Sequence, residues 1–154
     1  MKWLISSLMI FMALPAYACS CKGIDIRQSL KNYPQVFIAR VVSVKMNGSG
    51  DKYLRNVVAD IQILDSIKGN QKKLKRLYTG FGGGDCGITL NAGWQYIFFT
   101  DGQEVHACSG SGFYPGKDND DGFVQVLRDY MKSGKEFDPK DFFFIGSSDS
   151  ACSS

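Results

Sequence analysis

The chain is poor in histidine and lacks both the Cys-x-x-Cys spacing and a long apolar run. His106 is the single histidine among 154 residues. A catalytic zinc held by three histidines therefore cannot be built within this chain, nor can any site that needs two. No Cys-x-x-Cys occurs, which removes the usual spacing of a thiol redox pair or a structural zinc site. The glycines Gly82 to Gly84 do not lead into Gly-Lys-Ser/Thr, so no phosphate loop is indicated. The formal net charge is only +3, too small for a nucleic-acid footprint. The N-terminal apolar run, Trp3 to Leu14, falls short of the roughly 20 residues that span a bilayer, so no stable membrane span is expected. There is no internal repeat.

An apolar fraction of 44% and a charged fraction of 21% are those of a globular chain. Lys2 followed by the apolar run, Pro15 and the small-x-small triplet Ala16-Tyr17-Ala18 reads as a secretory signal at residues 1–18, cleaved between Ala18 and Cys19. The product is expected to be secreted or periplasmic. Lipidation of Cys19 is disfavoured, because Ala16 stands where a Leu-like residue is usual. Export places the cysteines in an oxidising compartment, where disulfides are the default. Cys19 and Cys21 are too close for a mutual bridge, so both are expected to reach forward to Cys86 and Cys108. Bridges closing loops of that length are each worth about 4 kcal/mol in the chain-entropy account. Cys152, in a tail reading GSSDSACSS, is expected to be an unpaired thiol. A metal or redox role for Cys19 and Cys21 is the less favoured reading.

Hydrophobic periodicity predicts a short helix over Asp25 to Tyr33, stopped by Pro34. Strands follow at Val36 to Met46, Tyr53 to Ile67, Leu74 to Thr79, Trp94 to Thr100 and Glu104 to Cys108, separated by Gly/Asn/Asp turns such as Asn47 to Asp51. Phe123, Leu127, Tyr130 and Met131 form a helical stripe over Gly122 to Lys132, with Asp120 or Asp121 as N-cap and Gly134 as C-cap. Five short strands with little helix between them imply a mainly β chain closed into a small antiparallel barrel, with one or two helices packed on it. One domain is expected over residues 19–145, followed by a Ser-rich tail at 146–154.

Cys19-Ser20-Cys21 directly after the leader, the Lys68-Gly69 turn, Tyr78-Thr79, Cys86-Gly87 with Leu90 and Gly93, Tyr96 and Cys108 resemble the inhibitory domain of the tissue inhibitors of metalloproteinases, in the wider netrin-like class. The resemblance covers Cys19 to about Ser109. It implies a five-stranded OB-fold barrel with Cys19 bridged to Cys86 and Cys21 to Cys108. It also implies that the protein inhibits a zinc metalloproteinase of the metzincin kind. In that family the free α-amine and carbonyl oxygen of the first cysteine chelate the target enzyme's zinc and displace its water. Here those groups would belong to Cys19, which would touch no metal except that zinc. Ser20 would enter the pocket beside the metal and Cys21 would hold the ridge. The segment before Cys86, mainly Gly84 and Asp85, would form the second edge. The family's third bridge in this domain and its cysteine-rich second domain have no counterpart here. The glycine-rich loop leaves the second edge either floppy or close-packed.

The other features point elsewhere than to catalysis. A lone His106 beside Val105 is expected to be a surface or packed residue. The acidic run Lys117 to Gly122 fails the EF-hand spacing and suits a helix N-terminus. Lys72 to Arg76 alternates around Leu74 and Leu77 as an exposed strand face would. Asn47-Gly48-Ser49 is a glycosylation sequon. No Ser/His/Asp arrangement is evident, so no enzyme activity and no cofactor are expected. The alternative to an inhibitor is a non-inhibitory binding or structural OB-fold module of the envelope or extracellular space.

Overall fold

The computed structural model describes residues 21, 24–46, 56–82 and 85–138. The expected leader, Cys19, Ser20, the turn at 47–51 with its sequon, Gly84, Cys152 and the Ser-rich tail lie outside the described residues.

Helix α1 spans Ile26–Asn32. Asp25 caps it by accepting the Arg27 amide at 2.9 Å, and Pro34 follows its end. The far end is held from another element. Lys68 donates through Nζ to the Leu30 and Tyr33 carbonyls at 2.5 and 2.7 Å, placing a cation where the helix dipole is negative.

Five antiparallel strands form one sheet: β1 (Gln35–Met46), β2 (Val57–Lys68), β3 (Arg76–Thr79), β4 (Gln95–Thr100) and β5 (Gly112–Phe113), in the order β3-β2-β1-β4-β5. After β4 the chain crosses to the opposite edge. The Tyr78 amide donates to the Gln103 carbonyl at 2.8 Å, and the Val105 amide donates to the Tyr78 carbonyl at 2.9 Å. This parallel bridge between Tyr78 and Glu104 turns the sheet back on itself, giving a mainly β fold of the small OB-like barrel type.

The first part of β1 (Val36 to Ala39) and β4 are buried on both faces, which explains why they read as unbroken apolar runs rather than alternating ones. Phe37, Ala39, Val41, Tyr96 and Phe98 point inward with Ala59, Ile61, Leu77, Leu90 and Val105. Val36, Ile38, Ile97 and Phe99 point outward, where α1 and the second helix cover them. That helix, α2 (Phe123–Ser133), buries Phe123, Val124, Leu127 and Tyr130. Met131, expected in the buried stripe, is instead exposed.

Two local expectations are corrected. Glu104 to Cys108 is not a strand, because only Glu104 bridges. The chain then turns through a 3-10 turn at Ala107–Ser109, where Ser109 donates both its amide and its hydroxyl to the His106 carbonyl. The fifth strand is Gly112–Phe113. The N-cap of α2 is Gly122, not Asp120 or Asp121. Asp120 is buried and spends its carboxylate on the Tyr114 hydroxyl at 2.7 Å and the Gly122 amide at 3.0 Å. Burial and that carboxylate push the Tyr114 phenol well above its usual range. At the other end Gly134 takes the left-handed cap, with its amide on the Tyr130 carbonyl at 2.8 Å.

Candidate functional site

Cys21 leads into α1 and is bridged to Cys108, with the two Cα atoms 5.3 Å apart. The turn that carries Cys108 is itself anchored. Ser109 is fully buried with its hydroxyl oxygen 2.7 Å from that of Ser111, and the Ser111 hydroxyl accepts the Phe99 amide of β4 at 2.8 Å. Gly110 packs against Ile24, Ile26 and Ser29, so closely that an added Cβ would come within 3.1 Å of the Ile26 and Ser29 side chains. Cys21 is thus held covalently to the turn on which α1 is seated.

Cys86 stands beside this turn, with its carbonyl accepting the Ala107 amide at 2.8 Å. It too is disulfide-bonded, and its expected partner, Cys19, lies outside the described residues. Its backbone is left-handed, at φ 58°, a conformation that an L-residue adopts only where its surroundings impose it.

The segment before Cys86 is close-packed at both ends rather than floppy. The Asp85 carboxylate accepts three backbone amides: Phe81 at 2.6 Å on one oxygen, Gly82 and Gly87 at 3.0 Å each on the other. A Cβ on Gly80 would collide with that carboxylate, and one on Gly87 would collide with the Gly80 backbone. Glycine is needed at both positions because the backbones touch. On the far side, the Ile88 amide donates to the fully buried Thr79 hydroxyl at 2.9 Å. Asp85 therefore turns its charge into its own loop. The outward side chain here is Phe81, which is 52% exposed.

Of the expected site residues, Cys21 and Asp85 are brought to one end of the barrel, together with Cys86 and Cys108. Cys19, Ser20 and Gly84 lie outside the described residues. His106 is half-buried, with Nε2 3.3 Å from the Tyr33 hydroxyl and the two rings packed edge to face. Tyr33 holds its phenolic proton above the usual range, mainly through burial. Sequence reasoning missed the amide-gathering role of Asp85, whose signal was a lone acid in a glycine run. It also missed the Cys86–Ala107 contact, for which the sequence carries no signal. Among the described residues no group of His, Cys, Asp and Glu is arranged to hold a metal ion, and no helix is long and apolar enough to cross a membrane.

No family model matches the chain. Metalloproteinase inhibitor 2 of Canis lupus familiaris is 31% identical to it over 93 residues, 58% of this chain and 42% of the relative. The Homo sapiens and Rattus norvegicus proteins of the same name are each 30% identical over the same shares. The chain spans less than half the length of these curated relatives, and its relationship to the tissue inhibitors of metalloproteinases is a distant one.

Proposed function

We infer that the protein is a secreted inhibitor of zinc metalloendopeptidases, not an enzyme, and that it acts through the α-amine and carbonyl oxygen of Cys19 once residues 1–18 are removed. The observation that carries this reading is the joined pair of half-cystines. Cys21 is fixed to Cys108, and Cys86, also oxidised, is hydrogen-bonded to the neighbouring Ala107. Cys19 precedes Cys21 by two residues, a reach of at most about 7 Å. A Cys19–Cys86 bridge would hold the new N-terminus rigidly at the barrel end. Rigidity of that kind lowers the ordering cost of binding. The three inhibitor relatives support the same reading.

Chelation needs a lone pair on nitrogen, so the amine must be neutral when it meets the zinc. The zinc belongs to the target, whose open coordination position normally holds water. Ser20 would occupy the pocket beside that metal, and the edge at Gly84 and Asp85 would lie along the cleft of a metzincin-like enzyme.

N-terminal sequencing of the exported protein, followed by an inhibition panel against zinc endopeptidases, tests the reading. A first residue of Cys19 and inhibition of at least one metzincin are expected. A mature chain beginning anywhere else, or an authentic Cys19 chain inert across the panel, would overturn it.

A further inference from the structure

The loop Gly80 to Gly87 has the composition of a mobile segment, yet its described ends are bound by one side chain. Gly80, Gly82 and Gly87 supply no side chain that could restrain the backbone. The Asp85 carboxylate does so instead, gathering the Phe81, Gly82 and Gly87 amides within 2.6 to 3.0 Å. Hydrogen bonds from backbone amides to a carboxylate are charge-assisted and stronger than neutral ones. Two of them fall on one oxygen and one on the other, so the carboxylate cannot turn without losing a partner. Gly80 lies directly over it and Gly87 against Gly80, so the described ends of the loop pack around the carboxylate. The Phe81 ring remains outside, 52% exposed, on a backbone pinned through its own amide. The Phe81 carbonyl is held as well, accepting the Thr89 hydroxyl at 3.4 Å.

We propose that Asp85 is a positioning residue of the inhibitory edge: it takes no part in contact through its carboxylate, but fixes the glycine-rich loop so that the Phe81 ring is presented as an apolar anchor to a hydrophobic patch of the proteinase. The inference rests on the inhibitor reading above and names the residue pair through which its second edge works. An exposed aromatic held on a rigid backbone is the kind of group that dominates binding energy at an interface. Its ordering cost is met on folding rather than on binding. Asparagine at 85 keeps the size of the side chain but replaces one acceptor oxygen by a donor, which must then face an amide donor.

The test compares the mature wild type with Asp85→Asn and Phe81→Ala. Amide hydrogen exchange is read at Phe81, Gly82 and Gly87 in the free protein, and inhibition and dissociation rates are read against a metzincin that the wild type inhibits. In Asp85→Asn those three amides are expected to exchange at least roughly tenfold faster while the β1 and β4 amides stay protected. Inhibition is expected to weaken roughly tenfold, mainly through faster dissociation. Phe81→Ala is expected to weaken inhibition by a similar factor with exchange at Gly82 and Gly87 unchanged, a combination that a merely structural role for the loop would not give. Unprotected amides in the wild type, unchanged exchange in Asp85→Asn, or full inhibition by Phe81→Ala would overturn the proposal. A wild type that inhibits nothing while its exchange pattern follows expectation would remove the inhibitor reading and with it the role of Phe81. The loop restraint by Asp85 would stand alone.

Discussion

At the scale of single residues, Asp60 ties three strands together. Sitting on β2, it accepts the Ser43 hydroxyl of β1 at 2.9 Å and the Arg76 guanidinium of β3 at 2.7 Å, and pairs with Lys45 at 3.1 Å. The Arg76 hydrogen bond is the largest cause of a carboxyl held well below the usual carboxylate range, with Ser43 and Lys45 adding to it. A depressed folded-state pKa contributes stability that is fully present above the unfolded-state value of 3.8. That stability is lost as pH falls from there toward the folded-state value. Asp60→Asn should therefore lower the urea midpoint at pH 7 and flatten the loss of stability below about pH 4, relative to wild type. Equal pH dependence in the two proteins would show that the ion cluster is not felt. Fully buried Phe98 lies between Phe37 and Tyr96, and Phe98→Ala should cost about 3–5 kcal/mol in denaturant unfolding. Inward-facing aromatics of this kind are legible from a strand's pattern. The Asp85 loop is not, because its amides converge only after Cys86 has taken a left-handed backbone.

At the scale of elements, most boundaries could be read from the chain because local chemistry and tertiary packing agree. Asp25, Pro34 and Gly134 punctuate the helices where turn and cap preferences place them. The exceptions are positions where a distant partner decides. Glu104 to Cys108 has strand composition, but the bridge to Cys21 and the hydrogen bonds of Ser109 and Ser111 bend it into a turn. Asp120 has the chemistry of a cap, but the buried Tyr114 hydroxyl claims it. The α2 stripe is resolved by its contact with the outer face of the sheet, which takes Leu127 and leaves Met131 exposed. Leu127→Ala should therefore cost about 2–5 kcal/mol, whereas Met131→Ala should stay within roughly 0.5 kcal/mol of wild type. Comparable losses from the two would mean that α2 presents a different face.

At the scale of the whole molecule, the chain combines a barrel with helices on its outer face and covalent bonds at one end. The cysteine spacing made it legible that Cys21 reaches far forward in the chain, and the Cys21–Cys108 bridge spans 87 residues. Replacing Cys21 and Cys108 together by serine should cost about 2–5 kcal/mol. Thiol titration of the denatured, unreduced mature protein should find no more than one free thiol, that of Cys152. Four or five would instead favour metal or redox chemistry. What composition could not reveal is how the two half-cystines come side by side, because that depends on the Cys86 carbonyl meeting the Ala107 amide across the barrel end.

The most direct measurement is the equilibrium inhibition constant of the mature chain against one metzincin, determined with the Cys19 α-amine free and with it acetylated. Thermal melts on both forms would verify that the fold is unchanged. The free amine should inhibit, with affinity falling as pH drops below the amine's pKa of about 7.7–8.0, and the acetylated form should lose inhibition by orders of magnitude at the same melting temperature. Equal inhibition by the two forms would contradict zinc chelation by the N-terminus.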